Sequence, residues 1–156
     1  MRAWPLVLSR HFRATLAIVG NGPERRRLER LIADLEVANS VSLVGADDPL
    51  PFLRGSRVYV STSRSEGFSR AMLEAAAVGR PIVATAVGGA LELPAETVQT
   101  VPVGNADAVA KAVVALLDDG ELRRRAAAAG RAAYRTRFTL ERCHSAYRDL
   151  YSAWAR

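Results

Sequence analysis

A chain of 156 residues, 49% hydrophobic and 24% charged, can build one ordinary domain with a proper core and is too short for two typical ones. Its apolar stretches are interrupted well short of the ~20 residues a transmembrane helix needs, and its single cysteine, Cys143, excludes an internal disulfide and points to a reducing compartment. The net charge of +6, carried by 22 basic residues of which all but Lys111 are arginine, directs attention to anionic partners: nucleotide phosphates, an acidic membrane surface or nucleic acid. Cys143 itself reads as a buried, inert thiol. The arginine clusters at Arg25, Arg26, Arg27 and Arg30 and at Arg123, Arg124, Arg125 and Arg131 fall in helical patterns and read as solvated faces.

The opening "MRAWPLVLSRHF" has an apolar centre of only about four residues and no small-residue cleavage site after it, so it reads as mature sequence with helical character. "TLAIVG", residues 15–20, is a buried strand, and Pro23 in "NGP" is placed to begin a helix running to about Ala38. In that helix Leu28, Leu31, Ile32 and Leu35 form one apolar stripe. "VSLVG" (41–45) is a second strand, "DDPLPFLRGS" a short helix or turn, and "VYVSTS" (58–63) a third strand. A helix over 69–78 follows, then a strand at "PIVATAV" (81–87) and a short one at "TVQTVPV" (97–103). Helices over 106–117, 121 to about 135, and one capped by Thr139 and running to about Trp154 close the chain. Strands apolar on both faces, alternating with helices, predict a doubly wound parallel α/β sheet in a single Rossmann-like domain over 1–156. Such a fold calls for a strand ahead of the first helical stretch. None is present, so a first strand is expected to be missing from the amino end.

Ligands of open parallel sheets bind outside the carboxyl ends of the strands. Four strand exits rich in glycine or small polar residues fall there: "GNGP" (20–23), "VGAD" (44–47), "SRSEGFS" (63–69) and "VGGALE" (87–92). Glycine lets backbone amides approach a ligand, and a following helix amino terminus favours an anion, although tight turns use glycine whatever their function. Glu66 and Glu74 are sharper signals. Glu74 interrupts the apolar run of Ala71 to Gly79, and an unpaired buried carboxylate is costly, so it needs solvent, a cation or hydroxyl donors. An exposed Arg70–Glu74 pair at i,i+4 spacing accounts for it equally well.

These residues carry a family resemblance. "EGFSRAMLE", continued by "EAAAVGRPIVATAVGGALE", together with "LAIVGNGPERRRLERL", "VSLVGA", "VYVSTSRSEGF" and "RTRFTLERCHSAYRDLY", resembles the nucleotide-sugar half of family 4 glycosyltransferases (glycosyl transferases group 1) of the GT-B fold. The likeness runs over residues 14–151 with the motifs in order. It implies that Glu74 accepts hydrogen bonds from the donor's ribose hydroxyls, as an acceptor-only carboxylate can, and that Glu66 is the catalytic residue, touching the transferred sugar. It implies donor sugar and phosphate contacts at Gly20, Gly22, Gly67, Phe68 and Ser69, and nucleotide contacts at Val44, Gly45 and Ala46. Gly88 and Gly89 match a paired-glycine turn, with Glu92 behind it as a structural residue.

The reaction so implied is transfer of a hexose from a nucleoside-diphosphate sugar to a lipid or saccharide acceptor, with retention at the anomeric carbon. No cofactor or bound metal is expected, and His11 and His144 are left as structural or surface residues. Implied partners are the nucleotide sugar, the acceptor, and an N-terminal acceptor domain or partner chain, in a cytoplasmic setting with the Arg25–Arg30 face as a candidate contact for anionic headgroups. The family's upstream Arg and Lys that grip the diphosphate have no counterpart here, and Ser69 stands where glycine is common. The alternative function is a catalytically incomplete nucleotide-sugar-binding module that needs a separate acceptor domain. Nucleic-acid binding is disfavoured because the arginines are not interleaved with aromatics, and a dinucleotide site fails because "GNGPER" lacks the third glycine.

Overall fold

The computed structural model describes residues 1–154. Helix α1 (Trp4–Leu8) leads into strand β1 (Leu16–Val19), helix α2 (Arg25–Asp34), strand β2 (Val41–Gly45), helix α3 (Pro49–Gly55) and strand β3 (Tyr59–Ser61). Helix α4 (Arg70–Ala77), strands β4 (Ile82–Thr85) and β5 (Val98–Val101), and helices α5 (Ala106–Asp118), α6 (Gly120–Arg137) and α7 (Leu140–Trp154) complete the chain.

Local chemistry sets most of these boundaries. Ser69 adopts an extended backbone and its hydroxyl accepts from the Met72 amide at 3.3 Å, which caps α4. Asp48, Asn105 and Asp119 cap α3, α5 and α6 in the same way. Two expected boundaries move. Pro23 and Glu24 form a turn, with the Arg25 amide donating to the Gly22 carbonyl at 3.2 Å, so α2 begins at Arg25. It ends at Asp34, because Glu36 takes a left-handed backbone (φ 55°) that reverses the chain before a single 3-10 turn, Ala38–Ser40. The expected strands at 15–20, 58–63, 81–87 and 97–103 are each shorter than their apolar runs, since only the paired centre is strand and the ends turn into loops.

Every strand pairing is parallel, as expected, but the sheet is divided: β1 pairs with β2, and β3–β4–β5 form a separate three-stranded sheet. Among the described residues no strand bridges β1 and β3. β4 is buried on both faces. Val83 joins Val101 in a cluster with α1, α2, β2 and α5, built on Val7, Ile32, Val41, Val113 and Leu116. Ile82 and Ala84 face the other way, onto Leu53 of α3, Met72, Ala75 and Ala76 of α4, and Ala133 of α6. Helices therefore cover both sides, as the apolar-throughout strand sequences required. Trp4 is fastened to the first cluster, its indole N–H donating to the Ser40 hydroxyl at 2.9 Å.

Helix α7 is different: it contributes no buried residue. Cys143, expected to be a buried thiol, is exposed on it, because among the described residues none covers its side of the helix.

Leu116 is 0% exposed at the centre of the first cluster. Leu116→Ala is expected to lower unfolding free energy by about 3 kcal/mol, the usual cost of a lost side chain plus a residual cavity, read as a shift in the urea midpoint at unchanged slope.

Candidate functional site

Because the strands within each sheet are parallel, their exits gather at its carboxyl edge. In the first sheet the two glycine exits hold each other. Gly20 (φ 133°) donates its amide to the Gly45 carbonyl at 2.6 Å, and Gly45 (φ 86°) adopts a backbone that L side chains avoid. Gly20, Gly22 and Ala46 are exposed, while Val44 and Gly45 are half-buried. The Asn21 side-chain oxygen lies against Gly45, and the Arg25 guanidinium donates to the Leu43 carbonyl at 3.4 Å.

In the second sheet the loop after β3 is clamped to the turn after β4. The buried Thr85 hydroxyl donates to the Ser63 carbonyl at 2.6 Å, and the Gly89 amide donates to the Gly67 carbonyl at 2.6 Å. Gly88 (φ 46°) lies so close that a Cβ there would collide with the backbone carbonyls of Glu66 and Gly67; one on Gly89 would enter the Phe68 ring. Phe68 in turn stacks on Phe138 at the carboxyl end of α6, ring centroids 5.2 Å apart and tilted by 47°. Arg137 covers the far side of Phe138 at 5.1 Å and donates to the Glu92 carbonyl at 3.2 Å, so Glu92 acts here through its backbone. Among the described residues the amides of Gly67, Phe68 and Ser69 donate to no protein acceptor. They precede α4, whose dipole favours a negative group at that end.

Glu66 and Glu74 are both half-buried, one in the clamped loop and one on α4. The Tyr59 phenol at the start of β3 stands within electrostatic reach of both. Burial pushes its pKa up from 10.0, the neighbouring Ser69 and Ser61 hydroxyls act the other way, and the charges of Glu66 and Glu74 add to the upward shift. Arg70 also approaches Glu74, but at 4.0 Å with its own side chain 93% exposed, a pair worth only a few tenths of a kcal/mol. The i,i+4 pair expected as the alternative account of Glu74 is therefore present.

The expected site residues therefore form two groups: Gly20, Gly22, Val44, Gly45 and Ala46 on the first sheet, and Glu66, Gly67, Phe68, Ser69 and Glu74 on the second, with Gly88 and Gly89 against the latter. Neither of two cavities, of about 270 and 550 Å³, is lined by Glu66 or Glu74. Arg10 and Arg13 line the larger cavity, near the amino ends of the strands, and are not placed to serve this rim. His11 sits 2.9 Å from the Asp118 carboxylate, away from the rim as expected. Tyr59, Thr85 and Phe138 are the participants that sequence reading missed. Tyr59 and Thr85 lie inside apolar strand runs and Phe138 is far along the chain, so no local signal marked them.

A family model described as glycosyl transferases group 1 matches residues 1–119. The chain belongs to the group 1 glycosyltransferases. Lipopolysaccharide core biosynthesis glycosyltransferase LpsE of Rhizobium meliloti is 33% identical to this group 1 chain over 141 residues, 88% of this chain and 42% of that protein. Anabaena HepE, solved in complex with UDP, matches its fold with a TM-score of 0.83 at 23% identity, over 90% of this chain and 41% of that one. The C-terminal domain of the group 1 protein LpcC from Francisella tularensis matches with a TM-score of 0.76 at 20% identity, over 89% of this chain and 77% of that one. The fold is thus the Rossmann-like half of a GT-B glycosyltransferase. The chain spans about two fifths of the length of the curated relatives it matches.

Two outcomes follow from the geometry of this group 1 domain. Gly88→Ala is expected to cost about 2 kcal/mol or more, from left-handed backbone strain plus the collision with the Glu66 carbonyl, measured by chemical denaturation. In a spectrophotometric pH titration one of the four tyrosines should ionise after the others, and Tyr59→Phe should remove that late step. The folded state keeps the Tyr59 proton longer than the unfolded state, so its contribution is complete below the ordinary phenol pKa of ~10 and falls as pH rises past it.

Proposed function

We propose that this chain is the donor-binding part of a retaining family 4 hexosyltransferase, holding a nucleoside-diphosphate sugar for transfer to a lipid or saccharide acceptor at the cytoplasmic face of a membrane. One observation carries the reading. Two half-buried carboxylates, Glu66 and Glu74, lie within electrostatic reach of the Tyr59 phenol, and the loop that carries Glu66 also carries the amides of Gly67, Phe68 and Ser69 at the start of α4. A diol needs acceptors and a diphosphate needs donors, and both kinds of group are present side by side. Under this reading Glu74 takes the ribose hydroxyls and Glu66 the hydroxyls of the sugar. The amides of Gly67, Phe68 and Ser69 face the sugar and phosphate oxygens, with Gly20 and Gly22 opposite. The exit at Val44, Gly45 and Ala46 lines the nucleobase.

In the transfer, the bond between the anomeric carbon and the β-phosphate oxygen breaks and a bond from the acceptor oxygen forms on the same face of the sugar. The electron pair leaves with the diphosphate, and the acceptor's proton passes to that leaving oxygen. Preorganised amides stabilise the charge that develops there, and Glu66 stabilises the positive charge on the sugar ring. No metal is assigned a role. HepE, a neighbour in fold, is described in complexes with UDP and with UDP-glucose, which makes these the first ligands to test.

A second reading keeps the binding and drops the chemistry: a nucleotide-sugar module or subunit completed by a separate acceptor domain. The rim's composition favours it, since among the described residues Arg64 and Arg70, both exposed, are the cations carried by the β3–α4 segment. Calorimetric titration with UDP and UDP-glucose tests both readings. Binding is expected, and Glu74→Ala should weaken it about tenfold, the ~1.4 kcal/mol of hydrogen bonding to a charged acceptor. Turnover by the lone chain that Glu66→Gln abolishes supports the first reading; intact binding without turnover supports the second. No binding of either ligand by the folded chain overturns both.

A further inference from the structure

The loop over residues 62–69, between β3 and α4, carries Glu66 and the amides of Gly67, Phe68 and Ser69, yet its sequence, "TSRSEGFS", holds one apolar side chain, Phe68. Its backbone is tied to the turn after β4 at two points, through the Ser63 and Gly67 carbonyls. Single hydrogen bonds compete with water and contribute modestly, so the apolar anchoring of this loop falls to one ring. That ring is itself 36% exposed, and its aromatic partner comes from the far end of α6. Small residues fix where the partner stands. Helix α6 buries Ala126, Gly130 and Ala133. A Cβ on Gly130 would stand 3.1 Å from the Thr97 methyl and 3.6 Å from Ala76 of α4, and one on Gly79, just past α4, would collide with the Arg131 guanidinium. The helix therefore lies close on α4, and its carboxyl end delivers Phe138 to the loop. A second path returns from there to the same ring. Arg137 donates to the Glu92 carbonyl at 3.2 Å, the Glu92 amide donates to the Gly89 carbonyl at 3.2 Å, and Gly89 lies against Phe68. Phe68 thus sits in a socket whose two contacts, Gly89 and Phe138, are tied to each other through Arg137.

We propose that Phe138 is a positioning residue for this rim: acting through Phe68, its ring holds the 62–69 loop in the conformation that takes the donor. The step from loop position to donor affinity rests on the donor reading above; the hold on the loop does not. A tilted aromatic pair contributes enough to change the open fraction of a surface loop about tenfold. A site that is competent only part of the time binds more weakly in the same proportion. Replacing the ring by an aliphatic side chain therefore releases the loop and weakens the donor together, whereas a second aromatic residue at the position preserves both.

The test uses the full chain, labelled with nitrogen-15, and UDP as the ligand. The Gly89 amide donates to the Gly67 carbonyl at 2.6 Å, so its exchange rate, followed by NMR, reports the clamp without any nucleotide. Phe138→Leu is expected to speed that exchange about tenfold, while the Ala86 amide, bonded to the Val101 carbonyl at 2.9 Å, keeps its rate. Phe138→Tyr should restore the wild-type rate. Phe68→Leu combined with Phe138→Leu should do no more than either alone, since the two act through one contact. By calorimetry Phe138→Leu should weaken UDP about tenfold and Phe138→Tyr less than about twofold. Val113→Ala, in the first core cluster, should lower the urea midpoint and move neither readout, which separates positioning from general stability. The proposal is overturned if Gly89 exchange ignores Phe138→Leu, if Ala86 accelerates equally, or if Phe138→Tyr fails to rescue. It is also overturned if the two leucine substitutions add, if Val113→Ala reproduces the effects, or if exchange responds while UDP affinity does not. A wild-type chain that binds no UDP, with the exchange response intact, overturns the donor reading and leaves the hold on the loop standing.

Discussion

The candidate site depends on a close approach of two backbones. The loop after β3 can reach the position it holds only because the turn after β4 offers Gly88 and Gly89 to it, and the space between them admits hydrogen atoms but no Cβ. Parallel pairing of β3 with β4 brings these exits side by side, and the Gly67 carbonyl and the buried Thr85 hydroxyl then tie them together. While the Gly67 carbonyl is committed to Gly89, the amides of Gly67, Phe68 and Ser69 donate to no acceptor among the described residues.

The same clamp explains the carboxylates. Phe68 is pinned by Phe138 and by the glycine turn, which fixes the loop that carries Glu66. Glu74 is fixed more simply, by position on a helix whose cap is the Ser69 hydroxyl. Both acids lie within electrostatic reach of Tyr59, whose phenol pKa burial raises.

The basic character of the chain has a different explanation from the site. Arg25 pairs with Glu29 at 3.0 Å, Arg27 with Glu24 at 2.8 Å, and Arg124 with Glu121 at 2.6 Å, all on exposed helix surfaces. Each pair contributes little energy, and together they make two of the arginine clusters solvated faces. The cations that remain conspicuous are those at the amino side of the divided sheet, Arg10, Arg13 and Arg57.

Where a signal is local, the sequence by itself determined the outcome. β2 occupies Val41–Gly45 as its residues predict, the Ser69, Asn105 and Asp119 caps start their helices within a residue of expectation, and strands apolar throughout required helices on both faces. Glu74 stood out in the sequence because an acid inside an apolar helix run conflicts with its surroundings. Tertiary structure alone decided that the sheet divides between β1 and β3, that Cys143 lies exposed on an uncovered helix, and that Tyr59, Thr85 and Phe138 support the rim. It also shortened α2 at both ends. The physical reason is common to these: hydrogen-bond caps and side-chain periodicity act within one turn of chain, whereas burial and pairing depend on which distant surface arrives, and no residue carries that information on its own.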